Sequence, residues 1–399
     1  MTDREFLEQI TAHVKTKIIP FWEGLRDDEN GGFYGGVDFD LHVDRKAAKG
    51  VILNSRIVWF FSRGYLTLGD PVLLDCARHG YEFMKQRCFD AQEGGVFWSV
   101  KFDGTPEDTT KHTYNQAFSI YALSEYYEAS KDPEALALAK AQFRTIEDRC
   151  FDGGYLEALD RNFRPVSNDK LSENGVLADR TMNTLLHVFE AYTNLYRVSR
   201  DSAVKERLEW IMTEFAQKVW NPELRRQEVF FDRDMHSILD LYSYGHDIET
   251  SWLMDFGVEV LGEPAYRDLI APISDAMLDN LTRVAYDGHS LPQECDRGVV
   301  NNTRVWWVQA ETVLGYLNGA LKHPERPEYM ENAKSTWEYI RTYIVDPREG
   351  GEWFWDCDAD NVPSDRKPIV EPWKCPYHNG RMCFEVIRRL GGKTEREEV

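Results

Sequence analysis

No stretch of the chain approaches the roughly 18 consecutive apolar residues of a membrane-spanning helix, so none is read as crossing a bilayer. Positive charge is scarce: 47 Lys and Arg stand against 68 Asp and Glu, a net charge of −21. Such a surface repels phosphate backbones and anionic lipid, which argues against nucleic-acid and membrane partners and favours a monomer. Cysteine is sparse as well; the seven are odd in number and lack CxxC spacing, as expected for reduced thiols in a cytoplasmic protein. The polar, acidic start at Met1–Ile10 has neither the basic end nor the apolar core of a signal peptide. There is no GxxxxGK(S/T) loop and no GxGxxG after a strand, so nucleotide-dependent chemistry has no visible support. A GxSxG nucleophile elbow is missing too.

What is present is apolar mass and a repeat. The 399 residues are 42% hydrophobic and 13% aromatic, ample for a large core. Length alone would suggest two or three domains, but a recurring phrase points to one unit spanning 1–399. Glu29-Asn30-Gly31-Gly32-Phe33-Tyr34 returns as Glu93-Gly94-Gly95-Val96-Phe97-Trp98, as Asp152-Gly153-Gly154-Tyr155 and as Glu349-Gly350-Gly351-Glu352-Trp353-Phe354. Weaker echoes lie at Gln227–Phe231 and Asp287–Leu291, giving a period of roughly 60 residues with one longer step. The Gly-Gly pair suits a tight turn with positive φ, and the aromatic after it suits a short hairpin strand.

Helical periodicity fills the intervals. Pro133–Arg149 places Leu136, Ala139, Phe143 and Ile146 on one face and Lys140, Arg144, Glu147 and Asp148 on the other. His112–Tyr127 is apolar almost all round. The first pattern predicts an outer helix with one wet face, the second an inner helix. Outer helices are expected near 4–19, 71–88, 133–149, 203–219, 266–283 and 327–345. Inner ones are expected near 51–68, 112–128, 181–198, 244–261, 304–320 and 376–390. Six such pairs predict an all-α, closed (α/α)6 barrel with short β-hairpins in its loops; an open helical solenoid is the alternative.

Polar groups interrupt the first turns of the inner helices. They are Arg56; Tyr114 and Asn115; Asn183 and His187; His246 and Glu249; Trp306, Trp307 and Glu311; and Trp373 and His378 at the last. If the inner helices run parallel, these groups meet at one mouth, where burial without a ligand would be costly. Each has a plainer explanation. A lone histidine in an apolar helix is usually a satisfied core residue, Arg56 can balance Glu249 or Glu311, and the tryptophans can be plain core. Three histidines at matching places in different repeats favour a site.

His246-x-x-Glu249 and Cys375-x-x-His378 have workable metal spacing, but there is no HExxH and no second Cys/His pair, so no metal is expected. Histidines facing one cavity beside an arginine suit proton transfer at a carbon next to a carbonyl. Glu249, on the same helix face as His246, would orient that ring. Glycoside hydrolysis by Glu249 and Glu311 stays open as the competing chemistry, with the histidines then unexplained.

The same residues carry a family pattern. Ile19-Pro20-Phe21-Trp22, Asn54-Ser55-Arg56, Met182-Asn183, Ser243-Tyr244-Gly245-His246-Asp247-Ile248-Glu249, Trp306-Trp307-Val308-Gln309-Ala310-Glu311 and Trp373-Lys374-Cys375-Pro376-Tyr377-His378-Asn379 resemble the N-acylglucosamine 2-epimerase superfamily over essentially the whole chain. The resemblance implies a barrel epimerase needing neither metal nor cofactor, of the branch acting on the reducing-end glucose of β-1,4-linked disaccharides. It implies that His378 and His246 exchange the C2 proton and that Arg56 stabilises the charged oxygens. It also implies that Glu249 supports His246 and that His187 assists ring opening. Tyr114, Asn183, Trp306, Trp307, Glu311 and Trp373 are then expected to hold the sugar. Aldose–ketose isomerases and amino-sugar epimerases of the same superfamily, and a silent sugar-binding barrel, are the alternatives.

Overall fold

The computed structural model describes residues 1–168, Lys170 and 175–391. Its helices are α1 (Asp3–His13), α2 (Ile19–Glu23), α3 (Val51–Leu68), α4 (Pro71–Phe83), α5 (Thr113–Ser130), α6 (Pro133–Arg149) and α7 (Met182–Ser199). They continue with α8 (Ser202–Glu214), α9 (Tyr244–Leu261), α10 (Pro264–Val284), α11 (Trp306–Lys322), α12 (Pro327–Tyr339) and α13 (Tyr377–Leu390). Helix α3 packs on α5, α5 on α7, α7 on α9, α9 on α11, α11 on α13, and α13 back on α3. The inner ring is therefore closed, and the open solenoid is set aside. Helices α4, α6, α8, α10 and α12 back α3, α5, α7, α9 and α11, while the N-terminal α1 covers the C-terminal α13. Among the described residues no helix is long and apolar enough to cross a membrane.

Local chemistry explains the alternation. Inner helices end on a left-handed residue (Gly69, Lys131, Arg200 and Gly262, φ 73°, 60°, 51° and 76°), which stops the helix. The next residue caps an outer helix: Asp70, Asp132 and Asp201 accept the N–H of Val72, Glu134 and Ala203. Two of these outer helices then start on proline, Pro71 and Pro133. Outer helices bury one stripe, such as Ala135, Ala139, Phe143 and Ile146 of α6, whereas α5 is buried from Thr113 to Tyr126. Four outer segments end in a widened π turn, at Val14–Ile18, Met84–Cys88, Phe215–Val219 and Ile340–Ile344.

The Gly-Gly phrases form the expected turns, with bridges Arg26–Phe33, Phe89–Val96, Phe151–Tyr155 and Val345–Trp353. The echo at Gln227–Phe231 follows a hairpin that pairs Trp220–Asn221 with Arg226–Gln227. The echo at Asp287–Leu291 is instead a plain turn, closed by the N–H of Asp287 on Ser290 O at 3.3 Å. Turns and inner helices lock together. A Cβ on Gly32 (φ 67°) would meet Asn54 Oδ1 at 2.9 Å, and one on Gly95 (φ 70°) would meet Gln116 Oε1 at 2.7 Å. Those same oxygens accept the N–H of Phe33 and of Val96.

A cation two residues ahead of several inner helices, buried at Lys49, Lys111 and Arg180 and partly buried at Arg304, grips the preceding turn. Lys49 Nζ donates to Asp27 at 2.6 Å, Lys111 to Asp90 at 3.2 Å, Arg180 to Asp152 at 2.8 Å and Arg304 to Asp287 at 3.0 Å. These pins fix the inner-helix N-termini at one end of the barrel.

Candidate active site

The pinned N-termini surround a cavity of about 410 Å³. Arg56 enters it from α3, Tyr114 from α5, Asn183 and His187 from α7, His246 and Glu249 from α9, Trp306 and Trp307 from α11, and His378 from α13. Trp373 reaches in from the segment before α13. The convergence expected of these residues is what the structure shows, with two exceptions. Glu311, expected on the sugar, is fully buried behind His378 and does not line the cavity. Asn115 also turns away, donating to Phe97 O at 2.7 Å.

The three histidines present their outer nitrogens from differently held rings. His378 Nδ1 lies 2.7 Å from Glu311 Oε1, and His187 Nδ1 lies 2.9 Å from Glu190 Oε2. A carboxylate only accepts, so each of these rings carries its proton on Nδ1 and leaves Nε2 as the basic atom. His246 Nδ1 lies 2.7 Å from Ser243 Oγ. The expectation that Glu249 orients His246 is therefore corrected. Spacing i, i+3 does put the two on one helix face, but the Glu249 carboxyl group turns to the guanidinium of Arg381. A cationic donor outcompetes a neutral ring as the partner of a buried carboxyl oxygen. Trp307 lies between the two remaining partners, its ring 4.9 Å from His246 and 5.4 Å from His378. Gly245 makes room for it, since a Cβ there would meet the indole at 2.5 Å.

Beneath the histidines is a charged knot. Arg381 pairs with Glu190, Glu249 and Glu311 from three different helices, the last at 2.7 Å. Tyr377 donates to Glu190 at 2.5 Å, and Trp252 donates to Glu311 at 2.8 Å. Glu190, Tyr377, Arg381 and Ser243 were not among the site residues expected from sequence. His187-x-x-Glu190 repeats the spacing noticed at His246-x-x-Glu249, and Arg381 follows His378 by three, so both signals were present. Glu249, Glu311 and His378 bring ligand-type atoms within 4.8 Å of one another, but the Arg381 guanidinium already fills the cationic place among them. The hydrolase pairing fails on the same geometry. Glu249 and Glu311 share one Arg381 nitrogen and cannot straddle a glycosidic bond.

Arg56 is the converse case. It is 2% exposed and has no carboxylate partner among the described residues, so it balances neither Glu249 nor Glu311. It donates to Tyr114 OH at 2.7 Å and lies 4.1 Å over Phe118 and 4.6 Å over Tyr377. Among the described residues its Nε has no partner, nor has Asn183 Oδ1. Trp306 is largely packing, edge-on to Trp355 at 4.8 Å, while Trp373 leans on Tyr114 and Trp98 at the cavity wall.

Burial sets the protonation states. It pushes His246 down to about 3, with His187 adding to the effect. His378 falls well below the usual histidine range through burial, then through the cations Arg381 and Arg56. Burial and the neighbouring Glu311 raise Glu249 to about 8. Burial works against the charge on Glu190 as well, but Arg381 and His187 outweigh it and hold it at about 2. At neutral pH the cavity thus offers neutral imidazoles, one uncompensated guanidinium and a carboxyl that keeps its proton.

The profile of the N-acylglucosamine 2-epimerase (GlcNAc 2-epimerase) family matches residues 31–379. A cellobiose 2-epimerase of Ruminococcus albus is 50% identical over 386 residues, covering 96% of this chain and 98% of that protein. The crystal structure of a sugar epimerase from a ruminal bacterium superposes with a TM-score of 0.95 at 49% identity, covering 98% of this chain and all of that one. Cellobiose 2-epimerase from Bacillus thermoamylovorans superposes at 0.92 with 43% identity, covering 97% of this chain and 100% of that one. With its closed helical ring, its histidine-lined mouth and relatives of nearly equal length, the chain belongs to the N-acylglucosamine 2-epimerase family.

Proposed function

We propose that the chain interconverts the reducing-end glucose of a β-1,4-linked disaccharide such as cellobiose with mannose, by exchanging the proton at C2. One observation carries this: His246 and His378, on two helices, face one cavity with both rings within 5.4 Å of the Trp307 ring, beside Arg56, which has no carboxylate partner among the described residues. The cellobiose 2-epimerases at 50% and 43% identity support it.

The chemistry starts with ring opening, in which His187, held by Glu190, moves the proton of the anomeric hydroxyl to the ring oxygen as the bond from C1 to that oxygen breaks. The open aldehyde makes the C2 proton acidic. His378 Nε2 removes it; the C–H electron pair becomes the C1–C2 double bond, and the carbonyl oxygen takes the negative charge. Arg56 meets that charge, and because no carboxylate neutralises it, its full field acts on the enediolate. Rotation about C2–C3 turns the other face outward, and His246, which takes up a proton through the mouth once the enediolate charge stands beside it, places that proton on C2 from that side. The first histidine ends with a proton and the second without, and exchange through the mouth resets them. Tyr114 and the free Asn183 oxygen hold sugar hydroxyls. Trp373 and Trp307 offer flat faces to the rings. Beyond them the cavity runs on to Trp355, Asp356 and Lys367, room for the second sugar. The acidic surface and seven free thiols fit a monomer in a reducing, cytoplasmic setting.

Proton NMR of cellobiose with the protein in D2O tests this. Glucosyl-mannose carrying deuterium at C2 is expected. A ketose would mean that the enediolate is protonated at C1, and free glucose would mean hydrolysis; either replaces the proposal, as does unchanged sugar.

A further inference from the structure

Of the three cavity histidines, only His246 is held by a hydroxyl. Ser243 ends the strand Leu241–Ser243, where it pairs with Glu294, and stands immediately before α9. Its Oγ is thereby fixed 2.7 Å from His246 Nδ1, one turn ahead of the ring. Both residues line the cavity, and Ser243 is 6% exposed. The carboxylate on the same helix, Glu249, is committed to Arg381, and Trp307 closes the other side of the ring.

The partners differ in what they do to a charged ring. Glu311 behind His378 stabilises the imidazolium that forms when that ring takes a proton, which makes it the better base. A serine hydroxyl holds a ring in place by donating or accepting, yet brings no negative charge to balance an imidazolium. We infer that Ser243 is a positioning residue that holds His246 in line with C2 without placing a carboxylate on its protonated form, so that His246 delivers the proton that His378 cannot. The same hydroxyl accepts from Nδ1–H after the proton has left, so the ring keeps its orientation through the cycle. The inference rests on the epimerase reading above and assigns a role to a residue that touches the reacting atoms only through His246.

The test compares wild type, Ser243→Ala and Ser243→Thr with cellobiose in D2O, following deuterium at C2 in product and in recovered substrate. In Ser243→Ala, epimer formation is expected to fall about 10- to 100-fold, part of the span a general acid supplies. Removal of the proton by His378 persists, so deuterium in recovered cellobiose should rise relative to product. Starting from the mannose epimer, where His246 must act first, exchange and conversion should fall together. Ser243→Thr, which restores the hydroxyl, should recover most of the turnover, and all three proteins should bind the reduced disaccharide cellobiitol alike. An unchanged ratio of exchange to conversion in Ser243→Ala would overturn the inference, as would full activity in Ser243→Ala or a threonine no better than alanine. Wild-type protein that puts no deuterium into either sugar would instead overturn the epimerase reading itself.

Discussion

Glu311 Oε1 lies 2.7 Å from His378 Nδ1, and the same oxygen accepts from Arg381 at 2.7 Å. One carboxylate thus ties the proposed base to the charged knot beneath it. Glu311→Gln keeps the shape and an acceptor but removes the charge that strengthens His378 as a base. Arg381 retains Glu190 and Glu249, so the fold should survive. We expect kcat to fall about 100-fold with little change in KM. Glu311→Ala, which also leaves the Trp252 N–H without its acceptor, should cost in addition about 1–3 kcal/mol of stability, read by denaturant melting. Equal losses of kcat and of binding in Glu311→Gln would argue against a role confined to His378.

Arg56 should show function and stability pulling in opposite directions. A buried guanidinium without a carboxylate is costly in the resting fold and valuable only when negative charge develops on the substrate. Arg56→Met fills the space between Phe118 and Tyr377 without that charge. Turnover is expected to drop by about 10²–10³-fold or more, the range for losing one oxyanion donor. The melting temperature should be at least as high as wild type. A large fall in melting temperature would mean that the ring contacts and the bond to Tyr114 make Arg56 a structural residue first.

The ring of helices was legible because burial leaves a mark on composition. α5 is apolar on every side since neighbours surround it, and α6 keeps a wet face since none covers it. The expected span 112–128 therefore lies within a residue or two of Thr113–Ser130. The charged knot was not legible in the same way. Glu190, Glu249, Glu311 and Arg381 are scattered along the chain and meet only when the ring closes. Local spacing misled at Glu249. It reports which residues share a helix face, whereas a buried carboxylate goes to the strongest cation within reach, wherever in the chain that cation lies. The π turns were also invisible, because Val14–Ile18 or Met84–Cys88 carries the same apolar stripe as an ordinary helical turn.

The pH–rate profile should be displaced on both limbs. Burial holds His378 well below an ordinary histidine near 6.5, so the base stays neutral into acidic solution. The acid limb of kcat/KM should lie clearly below pH 6.5. Glu249, raised to about 8, keeps its proton at neutral pH and loses it above. A new negative charge then appears beside Glu311 and His378, which predicts an alkaline limb near pH 8. Glu249→Gln cannot titrate, so its alkaline limb should move upward while the acid limb stays. An unmoved alkaline limb would assign that titration to another group.

Away from the cavity, His13 should act as a stability switch. Its Nε2 accepts the indole N–H of Trp353 at 2.8 Å, which requires the neutral ring with its proton on Nδ1. Burial pushes its proton affinity down from 6.5 to about 4, partly opposed by Glu352 and aided by Lys17. Between those values the unfolded chain binds a proton that the folded one refuses, so stability rises with pH across the interval. It is fully present above about 6.5 and lost as pH falls toward about 4, a difference of about 3 kcal/mol. His13→Gln keeps a carbonyl acceptor for Trp353 and removes the titration. Thermal melts at pH 7 and pH 4.5 should therefore show a smaller drop for His13→Gln than for wild type. The other buried histidines titrate in both proteins and cancel from the comparison. Equal drops would mean that His13 is already protonated in the fold, and the Trp353 bond would then have to be made by another acceptor.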